Sequence, residues 1–265
     1  MSQLLLLQPD LRAGAALSTA LGEEYELRRV ETWEELLEEM GRSLPLGCVV
    51  DLCPQALPSP ETQLRMLRHR HPGVAIIVQS EFAGRELDLY RLGRLDVDGV
   101  IRMDGSTSPL RVRRVVASAL AARLGEMVVE SAAANLPPLA RECIRWAVEH
   151  AGSTPQVSEL AAAMALSPRA LLRELKVMDL PTPRKLLLWC RLIHAAHLLE
   201  RPGMTVECAA FRLGYSTGGA LRKALKRHMG SSPTSLRDRG GLAWALEVFR
   251  RQALRRGEDR RERWA

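Results

Sequence analysis

At 265 residues, 46% hydrophobic and 26% charged, the chain has room for two globular domains. Its longest apolar runs, "LLLL" and "VAIIV", fall far short of the ~20 residues a membrane span needs, which excludes a helical membrane protein. The net charge of +7 is unevenly placed: residues 1–130 carry 15 Arg against 19 Asp and Glu, and residues 131–265 carry 23 Lys and Arg against 12 acidic residues, or −4 and +11. Only the second half is therefore expected to meet a polyanion. Five scattered cysteines (Cys48, Cys53, Cys143, Cys190, Cys208) make no CxxC pair, which fits reduced thiols and no structural metal. The first residues lack a basic segment leading into an apolar core and a small-residue cleavage site, so no signal peptide and a cytoplasmic location are expected.

In the first half, leucine-rich or β-branched runs alternate with helical patterns. The strands are predicted at "QLLLL" (3–7), "YELRRV" (25–30), "GCVVDL" (47–52), "VAIIVQ" (74–79) and "DGVIRM" (98–103), and the helices near 11–21, 32–41, 60–70, 83–92 and 107–124. Such spacing implies right-handed βαβ units and a five-stranded parallel sheet. "VAIIV" is apolar throughout, as a central strand buried on both faces should be. In an open parallel sheet, chemistry sits at the carboxyl ends of the strands, here Gln8-Pro9-Asp10, Asp51, Ser80 and Arg102.

This arrangement resembles the receiver domain of two-component response regulators over about residues 1–125. The resemblance implies Asp51 as the phosphoacceptor position and Ser80 as the hydroxyl position, with Asp10 and Arg102 completing the pocket. Gln8 and Pro9 replace the acidic pair of the family, Asp10 falls one residue late, and Arg102 replaces a lysine. An amide and a proline supply little of the anionic oxygen that Mg²⁺ requires, and without the metal little would neutralise the charge of phosphoryl transfer. A degenerate receiver acting through protein contact or a small ligand is expected; a conventional response regulator phosphorylated at Asp51 is the alternative. The helix in "PLRVRRVVASALAARL" (109–124) carries more apolar surface than one packing partner requires, which suggests a homodimer through this domain, or packing within it.

The domain boundaries are read as 1–128 for the receiver-like domain, 129–138 for a linker, 139–239 for an all-α domain and 240–265 for a basic helix and tail. The all-α domain contains a repeat. "SPRALLRELK" from Ser167 returns as "TGGALRKALK" from Thr217, and Thr182-Pro183 returns as Ser232-Pro233. Each copy has helix-turn-helix logic. Ser158, Ser167, Thr205 and Thr217 are placed to cap helices, Gly214 permits a left-handed turn, and Gly230 ends the last helix. Leu171 and Leu175, and again Leu221 and Leu225, form buried stripes at i, i+4. The opposite faces carry Arg169, Leu172, Arg173 and Lys176 in the first copy and Arg222, Lys223, Lys226 and Arg227 in the second. "PRKLLLWCRLIHAAHLLE" (183–200) reads as a helical strut of ~25 Å between the copies.

At these residues the chain resembles the DNA-binding domain of the AraC/XylS family of transcription regulators, carried by "LAAAMALSPRALLREL", "RLIHAAHLLE" and "VECAAFRLGYSTGGALRKALKRHMGSSPTSLR". The resemblance implies two helix-turn-helix motifs joined by a linker helix, with double-stranded DNA as partner. Its base-reading positions fall on Arg169, Leu172 and Arg173 in the first copy and on Gly218, Gly219, Ala220 and Lys223 in the second. Arginines suit guanine O6 and N7, and Leu172 suits a thymine methyl. Gly218 and Gly219 read no base edge, so they are expected to offer backbone N–H groups to phosphate, and their cap Thr217 is a further DNA-contact candidate.

His194 and His197 share a helix face but have no carboxylate or thiol at metal-ligand spacing, and no catalytic motif is present, so no enzyme, cofactor or metal is expected. The reading is a sequence-specific transcription regulator under a receiver-like domain, with RNA polymerase or a regulatory protein as a further partner. A protein-interaction antagonist of another regulator is the second alternative.

Overall fold

The computed structural model describes residues 2–7, 11–43, 45–51, 59–80, 92–103, 107–132, 136–201 and 203–254. The chain divides into two compact units, Met1–Arg123 and Leu124–Ala265. Among the described residues no helix is long and apolar enough to cross a membrane.

The first unit runs β1 (Ser2–Leu7), α1 (Leu11–Leu21), β2 (Tyr25–Val30), α2 (Trp33–Ser43), β3 (Gly47–Asp51), α3 (Pro60–Arg70), β4 (Ala75–Ser80) and β5 (Gly99–Arg102), then enters α4 (Pro109–Ala132). All strand pairs are parallel, in the order β2-β1-β3-β4-β5, with Leu7 opposite Val50, Asp51 opposite Gln79 and Ser80 opposite Arg102. This is the doubly wound flavodoxin-like order, whose reversal of strand order lies between β1 and β3.

Strand alternation divides the core in two. Leu5, Leu7, Cys48, Val50, Ile76 and Val78 pack on one face with Leu36 and Met40 of α2 and Leu64 and Leu67 of α3. Leu4, Leu6, Val49, Ile77 and Ile101 pack on the other with Leu17 and Leu21 of α1 and Val112, Val116 and Ala119 of α4. β4 is buried along its whole length, as its apolar run requires. Val115 and Leu120 also lie against this second cluster, so the apolar residues with which the sequence suggested a pairing face pack in the unit's own core. The helix expected at 83–92 falls outside the described residues except for Leu92.

One charged contact ties α3 to the sheet. Arg68 donates from Nη1 to the Val74 carbonyl at 2.8 Å and from Nη2 to the Asp98 carboxylate at 2.5 Å, and the same Oδ2 accepts from the Ile76 N–H at 2.7 Å. Both side chains are nearly buried, at 13% and 7% exposure. Burial raises the Asp98 pKa, although the Ile76 N–H and Arg68 both pull it down.

The second unit holds the end of α4, then α5 (Pro138–Glu149), a 3₁₀ turn (Ala151–Ser153), α6 (Val157–Ala163), α7 (Pro168–Val177), α8 (Pro183–Leu199), α9 (Val206–Arg212), α10 (Gly218–Met229), α11 (Pro233–Asp238), α12 (Gly241–Phe249) and a π-helical turn (Arg250–Leu254). The sequence placed a linker from residue 129. Instead α4 continues to Ala132, and Val128, Val129 and Ala132 are buried in the second core. Alanine is the strongest helix former, so an alanine at 132 favours continuing the helix rather than breaking it.

α8 is buried over eleven of its seventeen residues, among them Trp189, Leu192 and Ile193, and most other helices of the unit pack around it. It is therefore a central core helix rather than a bare strut. α12 lies against it: Leu242, Ala245 and Phe249 are buried, and the Trp189 and Phe249 rings meet at 5.9 Å. The Glu200 carboxylate at the end of α8 accepts from the Leu242 N–H at 2.8 Å, and Arg237 Nε donates to the Leu199 carbonyl at 2.6 Å. The tail at 256–265 lies outside the described residues.

Asp98→Ala leaves the Arg68 guanidinium with one buried partner fewer and the Ile76 N–H without this acceptor. It should cost the first unit about 3 kcal/mol, measured as a shift in the urea midpoint at unchanged m-value.

Candidate nucleic-acid interface

Two helix-turn-helix motifs emerge from the same local rules. In the first, α6 ends and the chain turns through Ala165 at φ +54, with the Leu166 N–H donating to the Ala161 carbonyl at 2.9 Å. In the second, α9 ends and Gly214 takes φ +69, with the Tyr215 N–H donating to the Ala210 carbonyl at 2.9 Å. The second turn then carries one additional residue, Ser216, before its cap. Ser167 Oγ accepts from the Ala170 N–H at 3.2 Å to open α7, and Thr217 Oγ1 accepts from the Ala220 N–H at 3.1 Å to open α10. Thr205 caps α9 in the same way at 3.1 Å. Ser158 does not cap α6: the helix is capped at Gln156, whose N–H donates to the Glu159 carboxylate at 2.6 Å, and Ser158 lies in the first turn.

The buried stripes hold as expected, with Leu171, Leu175, Leu221 and Leu225 fully enclosed. On the outer side of α7, Arg169, Leu172, Arg173 and Lys176 are exposed, Leu172 at 44%. Arg173 Nη2 lies 3.2 Å from the neighbouring Glu174 carboxylate, an exposed contact that is readily exchanged. On α10, Arg222, Lys223, Lys226 and Arg227 are exposed, as is its cap Thr217.

Gly218 departs from expectation. The sequence suggested a bare backbone at the start of α10, but Gly218 is buried, and Gly219 and Ala220 are half-buried. The Glu207 side chain, reaching across from α9, occupies the space beside it: a Cβ at 218 would stand 2.5 Å from Glu207 Oε1. That same oxygen accepts from Arg222 Nη2 at 2.8 Å. The Glu207 pKa is lowered, first by its own backbone N–H and then by Arg222. The glycine was the signal of this close approach in the sequence, but its partner on another helix was not.

His194 and His197 turn ring nitrogens into the core, and among the described residues each buried Nδ1 has no hydrogen-bond partner. Burial lowers the His194 pKa to about 4, helped by Arg201, and lowers His197 by the same causes. Each residue is half-buried overall, with its Nδ1 edge turned inward.

In the first unit, Asp51, Ser80 and Arg102 end β3, β4 and β5 at the same edge of the sheet. Asp51 is half-buried, Ser80 buried and Arg102 exposed. Asp10 lies outside the described residues.

Comparison with known proteins bears on the second unit. A family profile described as "Helix-turn-helix domain" matches residues 160–239. The HTH-type transcriptional activator RhaS of Klebsiella pneumoniae (strain 342) is 26% identical over 177 residues, covering 67% of this chain and 55% of the relative. RhaS of Escherichia fergusonii is 32% identical over 94 residues, covering 36% and 34%. The chain thus spans about half the length, or less, of these curated relatives. Among solved structures, a receiver domain of a LuxO-type repressor from Vibrio parahaemolyticus aligns over 49% of this chain and 97% of its own at 19% identity, with a TM-score of 0.42. A response regulator from Chloroflexus aurantiacus aligns over 45% and 98% at 20% identity, with a TM-score of 0.40.

The turn and the buried imidazole can each be tested. Gly214→Ala forces a left-handed alanine whose Cβ would stand 2.1 Å from Thr154 Cγ2, and should destabilise the second unit by about 3 kcal/mol in chemical denaturation. The unfolded imidazole of His194 takes up its proton near pH 6.5 and the folded one near 4, so the unfolded state binds more protons between those values. The histidine's contribution to stability is therefore present above about pH 6.5 and is lost as the pH falls toward 4, and His194→Gln should flatten the fall of the melting temperature across that window.

With its paired turns, its caps and this match together, residues 160–239 form a helix-turn-helix domain.

Proposed function

We propose that the chain is a sequence-specific DNA-binding transcription regulator in which α7 reads base edges and α10 chiefly anchors the duplex. The observation that carries this is the duplicated motif: in both copies the leucine stripe is buried and the opposite face exposes arginines and lysines. Arg169 and Arg173 supply forked donors suited to guanine O6 and N7, and Leu172 supplies an apolar contact for a thymine methyl. Lys223, Lys226 and Arg227 supply phosphate contacts, with Thr217 and Gly219 near the helix start. The matched relatives are named transcriptional activators, which supports regulation of transcription as the outcome of binding.

The α/β unit is the control element in this reading, acting by contact rather than through an aspartyl phosphate. Its support is the sequence after β1, Gln8-Pro9-Asp10, and the arginine at 102 where receivers have a lysine. Failure of Asp51 to take label from a small phosphodonor with Mg²⁺ is the expected result.

Selection of bound sequences from random duplex DNA, followed by anisotropy titration of the winner, tests the reading. Affinity should fall steeply with salt. Arg169→Ala and Arg173→Ala should each relax discrimination at one base position by about 1–3 kcal/mol, whereas Lys226→Ala should weaken all duplexes alike and reduce the salt slope by about 1. A flat salt response, or no enrichment of any sequence, would overturn it.

A further inference from the structure

The second motif contains a charge arrangement that its twin lacks. Glu207 is the second residue of α9, Gly218 the first residue of α10 and Arg222 the fifth. The same helix positions in the first motif hold Ser158, Pro168 and Leu172. One copy therefore joins its two helices by an ion pair at the solvent surface, and the other presents a hydroxyl, a ring and a leucine. Among the described residues Arg222 is the basic side chain of α10 with an acidic partner; Lys223, Lys226 and Arg227 have none.

Stability does not account for the pair. Glu207 and Arg222 are 63% and 50% exposed, and an exposed pair adds little to a fold and is screened by salt. The space at Gly218 is nevertheless shaped to admit it, since any larger residue would bring its Cβ to 2.5 Å from Glu207 Oε1. The result is a carboxylate over the amino-terminal turn of a helix whose outer face is otherwise cationic.

That placement has two electrostatic consequences for a helix that lies on DNA. The carboxylate repels backbone phosphates near the first turn, and it neutralises Arg222, which then releases fewer counterions on random sequence. By accepting from Nη2 at 2.8 Å it also orients the guanidinium, whose planar fork matches the O6 and N7 acceptors of guanine. We propose that Glu207 is the specificity-setting residue of the second motif: a positioning residue that keeps Arg222 from indiscriminate phosphate binding and holds it for a guanine edge in the major groove. The opening left at Gly218 is what lets the carboxylate reach that position. This rests on the reading of the chain as a DNA binder and assigns the second motif a share of base discrimination.

The test uses the full chain, the duplex that wins selection from random DNA, and a scrambled duplex of the same composition. Glu207→Gln is expected to tighten binding to the scrambled duplex by roughly fivefold and to steepen its salt slope by about 1. The ratio of affinities for winner over scramble should fall by about fivefold or more, the lower end of what one well-placed side chain discriminates. Gly218→Ala, which displaces the carboxylate, should move all three readouts the same way. Arg222→Ala should lower the ratio without tightening the scrambled duplex. A wild-type chain that prefers no duplex overturns both this proposal and the reading beneath it. A discriminating wild type whose Glu207→Gln variant keeps its ratio and slope overturns the proposal alone, as does equal tightening on both duplexes, which would make Glu207 a repulsive charge and nothing more.

Discussion

The second unit depends on the burial of one helix. α8 presents apolar side chains around most of its circumference, so it cannot be stable until other helices cover it. α5, α6 and α7 approach it from the chain before it, and α9, α11 and α12 from the chain after. Both motifs are thereby referred to a common core, in which Leu171 and Leu175 of α7 and Leu221 and Leu225 of α10 belong to a single apolar cluster. A close-packed interior resists small displacements, so the orientations of α7 and α10 are set by core packing rather than by their own turns. The turn bonds at Leu166 and Tyr215 then specify only the local crossing of the two helices in each motif.

Charge follows the same division between inside and outside. In the second unit, burial disfavours the protonated forms of the His194 and His197 rings and lowers their pKa values. The cations of α7 and α10 lie on the outer faces of those helices, where their long side chains stay solvated. Carboxylates near that surface each hold one junction. Glu159 closes the start of α6, Glu200 receives the start of α12, and Glu207 bridges α9 to α10. In the first unit, by contrast, the Arg68–Asp98 pair lies inside and joins a helix to strands through backbone groups.

Much of this was legible in the sequence because it rests on local rules. Apolar "VAIIV" signalled a strand buried on both faces, Ser167, Thr205 and Thr217 signalled helix starts, and Gly214 signalled a left-handed turn. What escaped depends on side chains from distant elements. Ser158 looks like a cap, yet Glu159 reaches back to the Gln156 N–H and starts the helix earlier. Gly218 looks like a gap in a reading surface, yet the gap is filled by Glu207 from another helix. The alanines after residue 130 look like a linker, yet Val128, Val129 and Ala132 find a core to enter. No local pattern records which partner will arrive in such a space, since that is decided only when the helices pack.

The attachment of α12 also separates two boundaries that are easily conflated. Similarity to the helix-turn-helix profile stops at residue 239, whereas Trp189, at the heart of the linker helix, owes part of its enclosure to Phe249. A fragment trimmed to the homologous stretch would open an aromatic wound in its own centre and leave the Glu200 carboxylate without the amide it receives. The evolutionary module and the cooperative folding module are therefore different lengths of the same chain, and the segment between their ends is structural mortar for the motifs that precede it.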